Sequence, residues 1–237
     1  MKVFIYTGNV KREGSFLQYT VSQISQEILQ ILGEEIAIST YPNGKYGKID
    51  YCDGCALCFY GEVCHLDDDV EAIKKELENS DIVIFASPVY SHAVSGSFKS
   101  FIDRITHWAH YFNLAGKIGI TITVCNSNGY EDVQKYLAST MMSLGCYVTN
   151  EIVLKTAIHS KPIVNSVVRG EIRKLKRIID QNKILIDDLQ EEAFQNYKDL
   201  HLASAGIPFE KVIWIETGLM ESKTYKDYFK KKSRIFK

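Results

Sequence analysis

No run of apolar residues in this 237-residue chain approaches the roughly 18 that a membrane-spanning helix needs, so no span is expected. Net charge is nearly absent as well: 28 Lys and Arg face 29 Asp and Glu, leaving −1 at pH 7 and no general field for nucleic acid or a membrane surface. The exception is local. Basic residues interleave with aromatics in KTYKDYFKKKSRIFK at 223–237, where a solvated or docked tail is expected ahead of a site for an acidic partner or nucleic acid. The opening MKVFIYTGN enters a strand-like run in place of a signal peptide's apolar segment, so a soluble, cytoplasmic protein is expected. Internal repeats and low-complexity segments are missing. So are the G-x-G-x-x-G fingerprint and the glycine-lysine-serine or -threonine step of a Walker loop.

Short β-branched and aromatic runs at 3–6, 36–40, 82–86, 118–125 and 147–154 alternate with segments of helical period. That alternation predicts an α/β protein with a doubly wound parallel five-stranded sheet in the order 2-1-3-4-5. Leu17, Val21, Ile24 and Ile28 form one core stripe, and Val133, Tyr136, Leu137, Met141 and Leu144 another. Asp68 and Glu71 are spaced as a capping box ahead of Val70, Ile73 and Leu77. Phe98, Phe101, Ile102 and Ile105 mark a further helix, and one long amphipathic segment is expected over about 169–198. The winding reverses between strands 1 and 3, and ligands in such sheets bind outside the carboxyl ends of the strands at that reversal. Three loops therefore matter.

The first loop, Thr7 through Phe16, turns from strand to helix, and its backbone N–H groups with Lys11 or Arg12 suit an anion. The second reads SPVYSHAVSG and continues into SFKSFIDR, at 87–104; the third is Asn126-Ser127-Asn128-Gly129-Tyr130. SPVY followed by FKSFIDR resembles the isoalloxazine-binding loop and following helix of flavodoxin-like, NADPH-dependent FMN reductases. The resemblance runs over about 1–153 and implies that FMN is bound by Thr7, Asn9, Lys11, Ser15 and Phe16 around the phosphate. It further implies that Pro88, Val89, Tyr90, Ser91 and His92 meet the ring, and that Asn126, Ser127 and Gly129 meet the dimethylbenzene side and ribityl region. Phe16 departs from the family, which usually has a serine or threonine there.

Six cysteines without a secretory signal argue against a disulfide framework, so clustering points to metal or redox chemistry. Cys52, Cys55, Cys58 and Cys64 form C-x-x-C-x-x-C-x5-C, a grouping that can wrap one metal or a cubane. The spacing is similar to that of archaeal-type iron-sulfur flavoproteins, which implies a 4Fe-4S cluster; a structural zinc or reduced thiols are the alternatives. Lying after the second strand, the loop is expected on the same carboxyl edge as the flavin. Cys125 and Cys146 read as buried thiols, and His107 with His110 as surface residues.

These readings predict a flavodoxin-like FMN domain over 1–200 and a helical C-terminal extension over 201–237. The expected function is electron transfer from NAD(P)H or a ferredoxin-like donor to a small acceptor such as a quinone, flavin, oxygen or peroxide. A non-enzymatic flavin or iron-sulfur electron carrier is the alternative. The family resemblance implies a homodimer or homotetramer.

Overall fold

The computed structural model describes residues 1–8, 14–43 and 45–236; Asn9 and Lys11 lie outside them. Five parallel strands, β1 (Lys2–Thr7), β2 (Ala37–Tyr41), β3 (Ile82–Pro88), β4 (Ile118–Cys125) and β5 (Tyr147–Lys155), pair in the expected order β2-β1-β3-β4-β5. All eight residues of β4 and the first six of β3 are buried. Such near-continuous apolar strands are what a parallel sheet covered by helices on both faces requires.

The helices are α1 (Phe16–Leu32), α2 (Val70–Glu78), α3 (Gly96–Ile105), α4 (Tyr130–Ser143), α5 (Lys161–Gln181), α6 (Asp188–Leu202), α7 (Pro208–Glu216) and α8 (Tyr225–Lys232). Helix α1 buries the stripe Leu17, Val21, Ile24 and Ile28 and packs on α5, where Arg169 grips the buried carboxylate of Glu27 at 2.8 Å. Helix α4 covers β4: Gln134 hydrogen-bonds both Thr121 and Thr123, satisfying polar groups that burial would otherwise strand.

Two local expectations are corrected. The segment expected as one helix over 169–198 is two, because Asn182 takes the left-handed conformation (φ 50°) that ends α5, and Asp187 caps α6 by accepting the Leu189 N–H at 2.9 Å. The capping box at Asp68 is not made either. Asp68 does accept the Val70 N–H at 3.0 Å, but Asp69 occupies the cap position and Glu71 turns to Lys74 at 2.8 Å. The carboxylate of Asp68 is taken up by a stronger partner described below.

Residues 201–236 pack on their own chain. Pro208 starts α7 where its missing N–H is harmless. Trp214 is fully buried, stacks on Phe194 (5.4 Å, 23°) and donates to the His110 carbonyl at 2.9 Å. Tyr225 donates to the Gly145 carbonyl at 2.6 Å. Arg234 donates to the Asn79 and Ser80 carbonyls just ahead of β3, and the backbone at Lys232 and Ser233 presses on Gly116 just ahead of β4. The basic tail thus lies docked at the amino edge of the sheet, opposite the loops that follow β1, β3 and β4.

Candidate functional site

The three loops meet at the carboxyl ends of β1, β3 and β4. Gly8 is held from both sides: its N–H donates to the Ala86 carbonyl at 2.9 Å, and its own carbonyl accepts from Ser95 Oγ (2.6 Å) and Ser97 Oγ (3.0 Å). A side chain at position 8 would collide with the Ser95 hydroxyl, so glycine is required by close approach. Ser95 also caps α3 by accepting the Phe98 N–H. Thr7 is buried and donates to the Tyr41 carbonyl at 3.3 Å. Ser15 caps α1, accepting the Gln18 N–H at 3.2 Å, and Phe16 is the first helical residue, half-buried against the core.

In the second loop, Pro88 ends β3, and the Val89 N–H donates to the Val124 carbonyl at 2.8 Å, tying the loop to β4. Tyr90 and Ala93 exchange two backbone hydrogen bonds around Ser91 and His92, both left-handed (φ 52° and 62°). Two consecutive non-glycine residues in that region are strained, and such strain persists where the surrounding structure over-determines it. The turn leaves Tyr90 54% exposed at the rim, a flat ring beside the switch point. Gly129 (φ 73°) starts α4 and packs against Val89 and His92, which joins the third loop to the second. Asn126 and Ser127 are exposed; Asn126 accepts from Thr156 Oγ1 at 3.1 Å. His92 Nδ1 stands 3.5 Å from Asp132.

Cys52, Cys55, Cys58 and Cys64 line one pocket of about 200 Å³. Its loop turns sharply through Ala56 (φ 60°), a short 3-10 turn at Leu57–Tyr60, and Gly61 (φ 89°), against which Phe209 of α7 packs. Burial pushes the Cys58 thiol up and charge on Cys52 and Cys55 adds to this, with a backbone hydrogen bond and Lys74 opposing in part, so thiolates gathered here are favoured by a cation. The other wall comes from Asp103 and Arg104 at the end of α3 and from His107 and Tyr111 in the turn beyond it. At about 1.5 Å of rise per residue, Asp103 and Arg104 sit roughly 10–12 Å along α3 from its start at Gly96. The cysteine pocket therefore flanks α3, with Cys52 near enough to Lys99 in its first turn to act on it electrostatically.

Sequence reasoning missed the residues that build this wall. Arg104 and Asp68 form a bidentate pair (2.6 and 3.2 Å) with both side chains 1% exposed. Burial opposes the charged forms of both, but the hydrogen bonds between them outweigh it, holding Asp68 below the usual carboxylate range and Arg104 above its own. His107, expected on the surface, is buried, and desolvation lowers its pKa to about 4. His110 is partly buried, its Nδ1 hydrogen-bonded with the Glu210 carboxylate of α7 at 2.7 Å. Cys125 and Cys146 are buried as expected, and burial pushes Cys146 up to about 12. His65 lies beside Asp53 at 3.1 Å, with Cys55 near enough for one ligand atom from each to fall within 4.8 Å.

A parallel sheet in this order with three loops converging at its switch point defines a flavodoxin-like α/β protein. The family model for NADPH-dependent FMN reductase matches residues 1–159, and the chain belongs to that family. It is 39% identical over 99 residues to an iron-sulfur flavoprotein of Archaeoglobus fulgidus, 41% of this chain and 45% of that one. It is 32% identical over 128 residues to an iron-sulfur flavoprotein of Clostridioides difficile, 54% of this chain and 56% of that one. These matches span about half the length of each relative. Among solved structures the fold resembles RosB with a bound 8-demethyl-8-formylriboflavin-5'-phosphate intermediate (TM-score 0.59, 14% identity, 84% of this chain and 87% of that one). It also resembles a putative quinone reductase of Klebsiella pneumoniae (TM-score 0.56, 15% identity, 74% and 85%).

Proposed function

We propose that the chain binds FMN at the three loops and is an oxidoreductase that moves electrons from NAD(P)H or a ferredoxin-like donor to a small acceptor such as a quinone, free flavin, oxygen or peroxide. The observation that carries this reading is the lock at Gly8, where hydroxyls from the second loop hold the first in register at the switch point. Thr7, Ser15 and Phe16, with Asn9 and Lys11, would take the phosphate; Pro88 to His92 the ring; Asn126, Ser127 and Gly129 the remaining edge. When bound, FMN supplies hydride and single-electron chemistry. The chain's part is to present a rigid turn to the ring, keep Tyr90 at its rim and hold His92 beside Asp132.

The cysteine pocket fits a 4Fe-4S centre held by Cys52, Cys55, Cys58 and Cys64: all four residues line one pocket, and the buried Arg104 side chain borders it. A single zinc on Asp53, Cys55 and His65 is the competing donor set. Because both sets use Cys55, they exclude one another.

Titration with FMN, followed by its fluorescence and by melting temperature, tests the first part; unchanged signals at micromolar FMN refute it. NADPH- and NADH-driven reduction of a quinone or ferricyanide then separates an enzyme from an electron carrier, which shows no turnover. Iron, sulfide and zinc per protomer after anaerobic reconstitution, with a Cys58→Ser control, decide the centre.

A further inference from the structure

Arg104 has an unusual set of partners. Its two terminal nitrogens are committed: Nη1 to Asp68 (2.6 Å) and to the Asp50 carbonyl (3.1 Å), Nη2 to Asp68 (3.2 Å). Its Nε–H is buried with no hydrogen-bond partner, although Arg104 is only 5% exposed. Buried donors are almost always paired, so an orphan on a charged group marks a place where a partner belongs. The same side chain lines the pocket of the four cysteines, and charge on Cys64 acts on it.

We propose that Arg104 is the positioning residue of the cysteine centre: clamped by Asp68, it offers its unpaired Nε–H and its charge to the sulfur ligands and raises the centre's reduction potential. The inference rests on the 4Fe-4S reading above. Four thiolates and a cubane carry net negative charge that grows on reduction, so a fixed cation and a donor to sulfur favour the reduced state. Asp68 supplies the rigidity. It satisfies the planar fork at one end, so the guanidinium cannot swing out to solvent, while accepting the Asp50 and Val70 N–H groups that frame the cysteine loop. Lys74 also lines the pocket and acts on Cys58, but unlike Arg104 it is drawn to Glu71, lies over the Trp108 ring and has no orphaned buried donor.

The test compares Arg104→Gln and Arg104→Lys with the unmodified chain, all reconstituted anaerobically with iron and sulfide. FMN, iron and sulfide per protomer are measured first, and then the midpoint potential by a dithionite titration followed by electron paramagnetic resonance. With iron retained, Arg104→Gln should move the potential to more negative values by at least a tenfold change in the reduced-to-oxidised ratio, about 59 mV for one electron. Arg104→Lys, which keeps the charge, should stay closer to the unmodified value. If Arg104→Gln cannot hold iron, retention by Arg104→Lys with normal FMN content supports the cation's role. Full iron in Arg104→Gln with an unmoved potential overturns the proposal, as does equal loss in both variants. Iron missing from the unmodified chain refutes the centre itself, a failure distinct from that of Arg104.

Discussion

The Ser95 hydroxyl donates to the Gly8 carbonyl at 2.6 Å, joining residues 87 positions apart and fastening the loop after β1 to the loop after β3. Gly8→Ala must displace that hydroxyl, at a cost of about 1–3 kcal/mol typical of overpacking. We expect a lower denaturation midpoint and at least roughly tenfold weaker FMN binding, about 1.4 kcal/mol. Ser95→Ala loses both this bond and the α3 cap, and should cost about 1–2 kcal/mol. Wild-type FMN affinity in both variants would show that the lock does not shape the site.

Tyr90 presents the opposite case, since its side chain is exposed at the rim. Tyr90→Ala should leave stability within about 0.5 kcal/mol. FMN affinity should fall severalfold to tenfold, because a stacked aromatic pair contributes about 0.5–1.5 kcal/mol beyond its area. The comparison needs only melting curves and a fluorescence titration; a large drop in melting temperature would place Tyr90 in the fold and not at a ring.

The Asp68–Arg104 pair makes stability sensitive to acid. Asp68 is held below its ordinary range, so its stabilisation is complete above about pH 4 and is lost as pH falls through the lower folded value. Asp68→Asn leaves Arg104 buried without a counter-charge and should cost about 3–5 kcal/mol at neutral pH. Urea denaturation against pH should show a shallower acid slope in the variant; parallel curves would mean that the pair is not the acid-sensitive element.

His201 is fully buried with both ring nitrogens lacking a hydrogen-bond partner, and burial lowers its pKa, with Glu210 opposing only in part. The unfolded chain then takes up a proton near pH 6.5 that the folded chain refuses, so stability must fall as pH drops below that value. His201→Leu should flatten the stability curve between pH 7 and 5. An unchanged slope would assign the loss to other groups.

Helix α7 links the C-terminal extension to the cysteine loop, because Phe209 packs on Gly61 while Trp214 anchors the helix. Trp214→Ala should cost about 3–5 kcal/mol, as for other large-to-small core changes. Amide hydrogen exchange should accelerate around residues 57–62 as well as in α7. Exchange confined to α7 would show that the loop stands without it.

The strand runs and the stripes of α1 and α4 were legible from residue order, because side-chain period and alternation are local properties, and the sheet order followed from the strand-helix alternation of a doubly wound sheet. The loop carrying SPVY was legible for the same reason: its residues are contiguous in the chain. The break at Asn182 was not, since the apolar period continues across it and only the backbone conformation reveals the stop. Nor was the acid-base wall of the cysteine pocket. Arg104, His107 and Phe209 are distant in sequence from the cysteines, as Asp68 is from the Arg104 it pairs with, and spacing carries no information about which buried charges will meet. The four cysteines announced a cluster through their spacing alone. Where that cluster sits was decided by the packing of the loop along α3 and under α7, because the position of an irregular segment follows from the surfaces that receive it and not from its own residues.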